Sequence, residues 1–389
     1  MIRSVGISVL VAVIVATAIL YCPVPWSAIL TVAAVLLGYC AWSTTLTNLK
    51  LLSANLAAVF AAVAVFEGFL GFNDLRGDGT RIEGTISEGF VVPDDDLGYR
   101  PRVDSRVTAR KLFEDRVIYD VTYSIGADGL RVTPRSQSRR PPTCTVFFGD
   151  SVTFGEGVND AETYPFRVGV EPRGETSVYN FAFSGYGPHQ ALAALNAGRV
   201  ERTVTCSTIQ FVHLAIVEHV ARVAGLAGWD RHGPRFRLNK NGTVERDGNF
   251  DDPTQLLGRW VLPRWFDQTT DRFRTWHRFF GRSRDANDAD FALYLGVLDE
   301  VARVARSRFP GSSFDLLLWD RQGDTRFAAI ERRLTGSGVV VHRLTTMIPD
   351  FAANADRYLL GPRDGHPNAL MHQRIGEYVS REIVNRTRP

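Results

Sequence analysis

The amino-acid sequence predicts an α/β domain with a parallel sheet covered by helices on both faces, preceded by an apolar N-terminal region. Two observations lead to this prediction. From residue 143 onward, short apolar strand-like runs alternate with helix-like segments, which is the pattern of parallel sheets. Before residue 73, by contrast, the chain is strongly apolar and almost without charge.

The composition of the whole chain argues against several functional classes. Its 389 residues leave room for one large domain or two smaller ones. The formal net charge is only +3 and the arginines are scattered, so we expect no nucleic-acid partner. The 4 cysteines include no Cys-x-x-Cys pair, which argues against a zinc or thioredoxin-like site.

The cysteines fall into two pairs with different surroundings. Cys22 and Cys40 lie in apolar segments, and we expect them to face lipid or neighbouring helices. Cys144 and Cys206 each stand at the start of a strand-like run. A disulfide between them requires adjacent strands and an exported domain, and two buried thiols are the favoured interpretation.

Residues 1–72 are predicted to form a transmembrane region of about three helices. No charge occurs from Ser4 to Leu49, and the last apolar stretch carries only Glu67. A cleaved signal peptide would have a single apolar core, and helices of a soluble domain usually show a charged face. Each of three stretches approaches the ~17–25 residues of a membrane span: Val5–Tyr21, Ile29–Trp42 and Leu51–Phe72.

The few charges of this region predict its orientation. Arg3 precedes the first stretch and Lys50 lies between the second and the third, so both would face the cytoplasm. Three spans then place the rest of the chain on the extracytoplasmic side, whereas two spans would leave it in the cytoplasm.

Residues 73–142 are predicted to form a linker and a small β-rich lead-in. The polar, glycine-rich run Asn73–Gly89 is typical of a linker. Short segments of β character follow from Val91 to Val132, and a Gly-Ala-Asp-Gly turn signal at residues 126–129 interrupts them.

Residues 143–389 carry the alternating pattern of the main domain. Its candidate strands are Thr143–Phe148, Ser177–Phe181, Ile209–Leu214, Phe314–Leu318 and Val339–His342. Its candidate helices are Tyr164–Val170, His189–Ala197, Ala289–Ser307, Arg326–Leu334 and Asn368–Asn385.

An insertion at about residues 225–285 interrupts the alternation. Asn241-Gly242 within it predicts the tip of a hairpin. The insertion also contains an aromatic cluster, which could bind sugar rings or an acyl chain, or only pack: Trp260, Trp265, Phe266, Phe273, Trp276, Phe279 and Phe280.

The strongest functional signal is Gly149-Asp150-Ser151, directly after the apolar run Thr143–Phe148. This spacing places the Ser151 hydroxyl at the carboxyl end of a strand, where open α/β sheets hold their sites. The glycine allows a tight turn beside the serine. By itself the tripeptide is common, and Ser151 as a helix N-cap is the alternative.

A second signal, Asp364-Gly365-His366-Pro367, stands before the last predicted helix, with Pro367 suited to its first position. A nucleophilic serine needs a base to accept its proton, and that base needs an acid to orient it. His366 and Asp364 supply both from one loop.

A third signal lies between these two. Gly185 follows the apolar run that ends near Phe181, and its backbone N–H could stabilise an oxyanion together with the N–H of Ser151. Alternatively, Gly185 only shapes a strand-to-helix loop.

In this order, the three motifs resemble the SGNH hydrolases, also called GDSL-type esterases and lipases, over about residues 143–385. The resemblance implies a flavodoxin-like three-layer sandwich with a five-stranded parallel sheet, and no metal or organic cofactor. It further implies roles for Ser151 as nucleophile, Gly185 as oxyanion donor, and Asp364 and His366 as acid and base. Val152 replaces the leucine of the family name.

One block departs from the family pattern. The place of the usual Gly-x-Asn-Asp, whose asparagine is a further oxyanion donor, holds Glu218-His219-Val220-Ala221-Arg222. His219 or Arg222 could replace the missing amide. Alternatively, Glu218 and Arg222 form an i,i+4 ion pair on the following helix.

The sequence therefore predicts a membrane-anchored serine esterase that acts on an ester-bearing carbohydrate or lipid. An O-acyltransferase with the same residues is one alternative, and a non-catalytic binding module of a membrane complex is another. The oligomeric state is not predicted.

Overall fold

The computed structural model describes seven stretches of the chain: residues 26–76, 82–138, 140–170, 176–252, 286–320, 325–361 and 364–387. The chain divides into two compact units. One comprises Met1–Thr80 and Pro253–Arg284, and the other comprises Arg81–Asp252 and Asp285–Pro389.

Two predicted features lie outside the described residues. They are the first apolar stretch, Val5–Tyr21, and the aromatic cluster that begins at Trp260.

The described part of the first unit consists of two apolar helices, α1 (Trp26–Ser43) and α2 (Thr47–Arg76). By length and composition alone, α1 and the Thr47–Leu70 part of α2 are each able to cross a membrane. Helix α1 contains the predicted apolar stretch Ile29–Trp42, and α2 contains Leu51–Phe72. Helix α2 also continues into the predicted linker.

The second unit begins with five short strands: β1 (Ile82–Ile86), β2 (Val91–Asp94), β3 (Gly98–Pro101), β4 (Ser105–Phe113) and β5 (Arg116–Ile125). Strands β1, β4 and β5 form an antiparallel sheet, and β2 and β3 form a hairpin. We call these strands the lead-in sheet. The prediction of a linker over Asn73–Gly89 is wrong for β1, because pairing with β4 orders it through contacts that local composition does not reveal.

Further strands follow along the chain: β6 (Thr143–Phe148), β7 (Thr176–Asn180), β8 (Thr208–Ala215), β9 (Pro234–Leu238), β10 (Val244–Asn249), β11 (Ser313–Leu318), β12 (Val340–Arg343), β13 (Leu359–Gly361) and β14 (Asp364–Pro367). Within the described residues, a five-stranded parallel sheet has the order β12-β11-β8-β6-β7. This is the flavodoxin-like order. The predicted α/β fold is thus confirmed, and each predicted strand of the sheet lies within one residue of its observed bounds.

The helices of the second unit are α3 (Ser151–Phe154), α4 (Tyr164–Val170), α5 (Pro188–Asn196), α6 (Arg199–Thr203), α7 (His219–Val223), α8 (Asp288–Arg308), α9 (Arg326–Gly336), α10 (Leu344–Met347), α11 (Ala355–Tyr358) and α12 (Ala369–Val379). The predicted last helix is shorter than expected, because the helix changes to a π turn at Ser380–Val384 and a 3-10 turn at Asn385–Thr387.

Alternating side chains of the sheet enter two separate hydrophobic cores. Val146 and Phe148 of β6 pack with α5, α8 and α9, whereas Phe147 between them packs with α4 and α12. This alternation follows from the period of two along a strand. Helices therefore cover both faces of the sheet, and the lead-in sheet joins the first core through residues such as Val107 and Tyr123.

Cys144 and Cys206 form a disulfide, with a distance of 5.7 Å between their Cα atoms. The favoured interpretation of two buried thiols is therefore wrong. The reason is strand order: β6 and β8 are neighbours, and Thr143 pairs with Thr208, which brings the residue two positions before Thr208 against the start of β6.

Candidate active site

Ser151 lies at the carboxyl end of β6, where the chain turns sharply into α3. Gly149 has a φ of +154°, and a Cβ at this position would lie 2.1 Å from Oγ1 of Thr153, so the turn requires a glycine. Oδ1 of Asp150 accepts the N–H of Val152 at 3.0 Å and caps the short helix. The Gly-Asp-Ser sequence thus forms the turn that presents the serine hydroxyl.

Ser151, His366 and Asp364 form a continuous chain of polar contacts. Nε2 of His366 lies 2.9 Å from Oγ of Ser151, and Nδ1 lies 2.6 Å from Oδ1 of Asp364. Oδ1 of Asp364 also accepts the backbone N–H of His366 at 3.0 Å. This is the geometry that a serine nucleophile, a base and an orienting acid require.

Pro367 does not occupy the predicted first position of the last helix. It ends β14, where it pairs with Leu359 of β13. The helix begins at Ala369, and the side chain of Asn368 accepts the N–H groups of Leu370 and Met371 at 3.0 and 3.1 Å. The β13–β14 ladder keeps Pro367 extended, and the cap of Asn368 moves the start of the helix by two residues.

The electrostatic surroundings of His366 favour its protonated form. Burial lowers its pKa, but the hydrogen bond to Asp364 and the nearby charge of Glu156 outweigh burial, so the pKa of His366 is raised above its usual 6.5. Burial likewise raises the pKa of Asp364, yet its hydrogen bonds with His366 and Lys111 hold that pKa well below the ordinary value. Asp364 therefore stays ionised and stabilises positive charge on His366.

Lys111 is a site residue that the sequence did not reveal. Its Nζ donates to Oδ2 of Asp364 at 2.7 Å, and the side chain of Asp364 is completely buried. Lys111 belongs to β4 of the lead-in sheet, and no local pattern distinguishes it from the other cations of that strand.

Glu156 is a second such residue, although it follows Ser151 by only five positions. Its Oε2 lies 4.0 Å from Nε2 of His366 and accepts the hydroxyl of Ser184 at 2.7 Å. A carboxylate therefore lies next to His366 and contacts the residue before Gly185.

Gly185 lies in a crowded turn with a φ of +81°. A Cβ there would lie 2.5 Å from Nε1 of Trp229 and 2.6 Å from the hydroxyl of Tyr99. Trp229 donates to the Gly185 carbonyl at 3.3 Å, and Tyr99 donates to the Ser184 carbonyl at 2.9 Å. Among the described residues, neither Gly185 N–H nor Ser151 N–H has a hydrogen-bond acceptor, so both are available to an oxyanion.

His219 and Arg222 both approach Asp150. Nη1 of Arg222 donates to Oδ2 of Asp150 at 2.9 Å and to the carbonyl of Tyr186 at 2.6 Å. Nε2 of His219 lies 3.3 Å from the same carboxylate oxygen. Burial raises the pKa of Asp150, but the hydrogen bond with His219 and the charge of Arg222 outweigh it and lower the pKa strongly. These contacts orient the residue before Ser151, and a role as third oxyanion donor remains a prediction.

Arg131 holds the loop that follows α3. Its side chain is almost fully buried, and Nη1 donates to the carbonyls of Phe154 and Gly155, each at 2.6 Å. Nη2 donates to the carbonyl of Val158 at 2.7 Å, and Nε pairs with Asp160 at 3.0 Å. Glu156 lies in the loop that these contacts fix.

No protein-family model matches the chain, and no curated protein sequence matches it. Solved structures do match. An acetyl xylan esterase from the rumen bacterium Butyrivibrio proteoclasticus is 11% identical, with 78% of this chain and 83% of that chain covered and a TM-score of 0.35.

Two further solved structures are similar. A protein described as a GDSL-like lipase from Parabacteroides merdae is 12% identical, with coverages of 62% and 95% and a TM-score of 0.34. A salicylyl-acyltransferase from a tetracycline biosynthetic pathway is 14% identical, with coverages of 64% and 56% and a TM-score of 0.33. At this level of similarity, these matches assign neither a reaction nor a substrate to this chain.

Proposed function

We propose that the chain is a serine ester hydrolase with Ser151 as nucleophile, His366 as base and Asp364 as orienting acid. The observation that supports this proposal most directly is the hydrogen-bonded chain from Oγ of Ser151 through His366 to Asp364, with distances of 2.9 and 2.6 Å. A helix cap or a binding module does not require a serine, an imidazole and a buried carboxylate in this arrangement.

In the first half of the reaction, Oγ of Ser151 attacks the acyl carbonyl carbon while Nε2 of His366 takes the hydroxyl proton. The N–H groups of Ser151 and Gly185 stabilise the negative oxygen of the tetrahedral intermediate. The C–O bond to the alcohol then breaks, and His366 returns the proton to the leaving oxygen. An acyl ester on Ser151 results.

In the second half, a water molecule attacks the acyl-serine and gives a proton to His366. The bond to Oγ breaks, Ser151 recovers its proton from His366, and the carboxylic acid leaves. A sugar hydroxyl in place of water would make the same chemistry an O-acyl transfer. Asp364 keeps His366 oriented and stabilises its positive charge in both halves.

We also propose that α1 and α2 anchor the protein in a membrane with the catalytic domain on the extracytoplasmic side. Apolar side chains on both helices are exposed, among them Val35 at 66% and Val65 at 74%, and lipid would cover them. The placement rests on three spans, of which Val5–Tyr21 lies outside the described residues. The disulfide between Cys144 and Cys206 supports it, because disulfides persist in oxidising compartments.

The catalytic proposal is tested by labelling the purified full chain with a fluorophosphonate probe. We expect labelling of the wild type and of Ser138→Ala, an exposed serine control, but not of Ser151→Ala. Equal labelling of Ser151→Ala, or none of the wild type, would contradict it and favour a binding module. An aryl acetate with and without a polysaccharide acceptor then separates hydrolysis from transfer.

The location is tested with fusions at the C-terminus. We expect the alkaline phosphatase fusion to be active, because this enzyme is active on the extracytoplasmic side. We expect the fusion to green fluorescent protein to be non-fluorescent, because that protein fluoresces on the cytoplasmic side. A fluorescent fusion without phosphatase activity would place the domain in the cytoplasm.

A further inference from the structure

A cavity of about 630 Å³ opens beside the candidate active site. One wall is formed by the lead-in sheet, with Ile86 of β1, Ala109 of β4 and Tyr119 of β5, and Phe183 lies on the wall formed by the catalytic domain. Its volume lies within the range of about 300–1,000 Å³ that is usual for small-molecule sites.

At one end, the cavity is lined by residues that neighbour Ser151 and His366 along the chain or in space. Glu156, Ser184 and Gly185 all line it. Glu156 lies 4.0 Å from Nε2 of His366, and Gly185 carries one of the two N–H groups assigned to the oxyanion. A substrate whose carbonyl oxygen faces these N–H groups can therefore extend its acyl part into the cavity.

Most of the remaining lining is apolar or aromatic. Ile86 and Val91 are large aliphatic side chains that remain 46% and 50% exposed, and Trp229 is 62% exposed. All three line this cavity. An exposed apolar patch of this kind indicates a binding surface.

The charged side chains of the lining are already engaged in the protein. Glu156 accepts the hydroxyl of Ser184, and Arg222 donates to Asp150 and to a backbone carbonyl. Few polar groups are therefore left to bind the hydroxyls of a sugar, while the apolar walls suit a hydrocarbon chain.

We propose that this cavity holds the acyl group of the ester and selects a longer apolar chain over acetyl. The proposal rests on the function assigned to Ser151. An acetyl group would leave most of the cavity to water. Each additional buried methylene should raise kcat/KM by roughly fourfold until the cavity is filled.

The proposal is tested by comparing kcat/KM for p-nitrophenyl octanoate and p-nitrophenyl acetate with the purified full chain. The wild type should prefer octanoate by at least roughly tenfold, which is the gain expected from burying about two methylenes. Ala109→Phe fills the cavity, so octanoate turnover should fall about tenfold while acetate turnover changes by less than about threefold.

Two further variants separate cavity filling from damage to the fold. Thr108→Phe places the same bulk on the exposed face of the same strand and should behave as wild type. Ile86→Asp puts a charge at the cavity from a half-exposed position, without overpacking. It should also lower octanoate turnover and spare acetate turnover. Equal rates on both esters in the wild type, or equal slowing of both esters by Ala109→Phe and Ile86→Asp, would overturn the proposal.

Binding measurements keep this proposal distinct from the catalytic one. In the Ser151→Ala background, p-nitrophenyl octanoate should bind in a calorimetric titration. Adding Ala109→Phe should abolish this binding. Acetate hydrolysis without a chain preference would reject the acyl cavity and leave the esterase function standing. Octanoate binding without turnover of either ester would reject the esterase function and, with it, the assignment of the cavity to a substrate.

Discussion

Lys111 and Asp364 are 253 positions apart in the sequence, yet Nζ of Lys111 donates to Oδ2 of Asp364 at 2.7 Å. The other carboxylate oxygen of Asp364 faces His366 at 2.6 Å. One strand of the lead-in sheet thus supplies a cation to the acid of the candidate triad. The lead-in sheet therefore contributes a contact to the candidate active site, in addition to lining the cavity.

We expect Lys111→Met to reduce the free energy of unfolding by about 2 kcal/mol, because it removes a charged hydrogen bond to a buried carboxylate. Thermal unfolding of the full chain measures this change. Arg110→Met on the same strand is the matched control. Its guanidinium is half exposed and lies 3.8 Å from Asp120, so the loss should be at most about 0.5 kcal/mol. Equal losses in both variants would show that the contact with Asp364 contributes nothing specific.

Glu156→Gln should extend activity to lower pH. Only neutral His366 can accept the proton of Ser151, so kcat/KM falls as the pH decreases through the pKa of His366. That pKa is raised above 6.5, in part by the charge of Glu156. Removing this charge lowers the pKa of His366 and moves the acid limb of the kcat/KM profile to lower pH.

The matched control for the pH profile is Glu162→Gln. Glu162 is bound to Asn159 in a turn outside the site, where its Oε2 accepts the Asn159 N–H at 2.7 Å. Its profile should coincide with that of the wild type. An unmoved acid limb in Glu156→Gln would refute the electrostatic coupling of Glu156 and His366.

Gly185→Ala should slow the reaction by about 10²–10³-fold in kcat, which is the usual effect of losing one oxyanion donor. The φ of +81° and the close approach of Trp229 and Tyr99 leave no space for a methyl group, so the N–H must move. The control is Gly228→Ala, because no atom lies within 4 Å of a Cβ at that position. If kcat of Gly185→Ala equals that of the wild type, the N–H of Gly185 does not stabilise the oxyanion.

Loss of the disulfide should destabilise the catalytic domain by about 4 kcal/mol in the chain-entropy description of a cross-link, given its sequence separation of 62 residues. We expect Cys144→Ser and treatment of the wild type with a reductant to lower the melting temperature by similar amounts. The reductant should then have no further effect on Cys144→Ser. If reduction under denaturing conditions leaves the melting temperature of the wild type unchanged, the two cysteines are not joined.

Features that depend on neighbouring residues were predictable from the amino-acid sequence. Apolar runs of strand length, separated by helical segments, predicted the five strands of the sheet because burial on both faces demands such runs. Gly149 before Ser151 was recognisable because the turn requires a glycine. The closeness of Asp364 and His366 was recognisable because they share one loop.

The distant side chains of the candidate site could be identified only from the folded chain. Lys111 reaches Asp364 from another sheet, and Glu156 approaches His366 because Arg131 holds the intervening loop. His219 and Arg222, the possible substitutes for the missing oxyanion donor, both contact Asp150. Cys144 meets Cys206 only because β6 and β8 are adjacent. Contacts of this kind depend on strand order and on the packing of separate sheets, which bring together residues whose local sequence carries no trace of the partner.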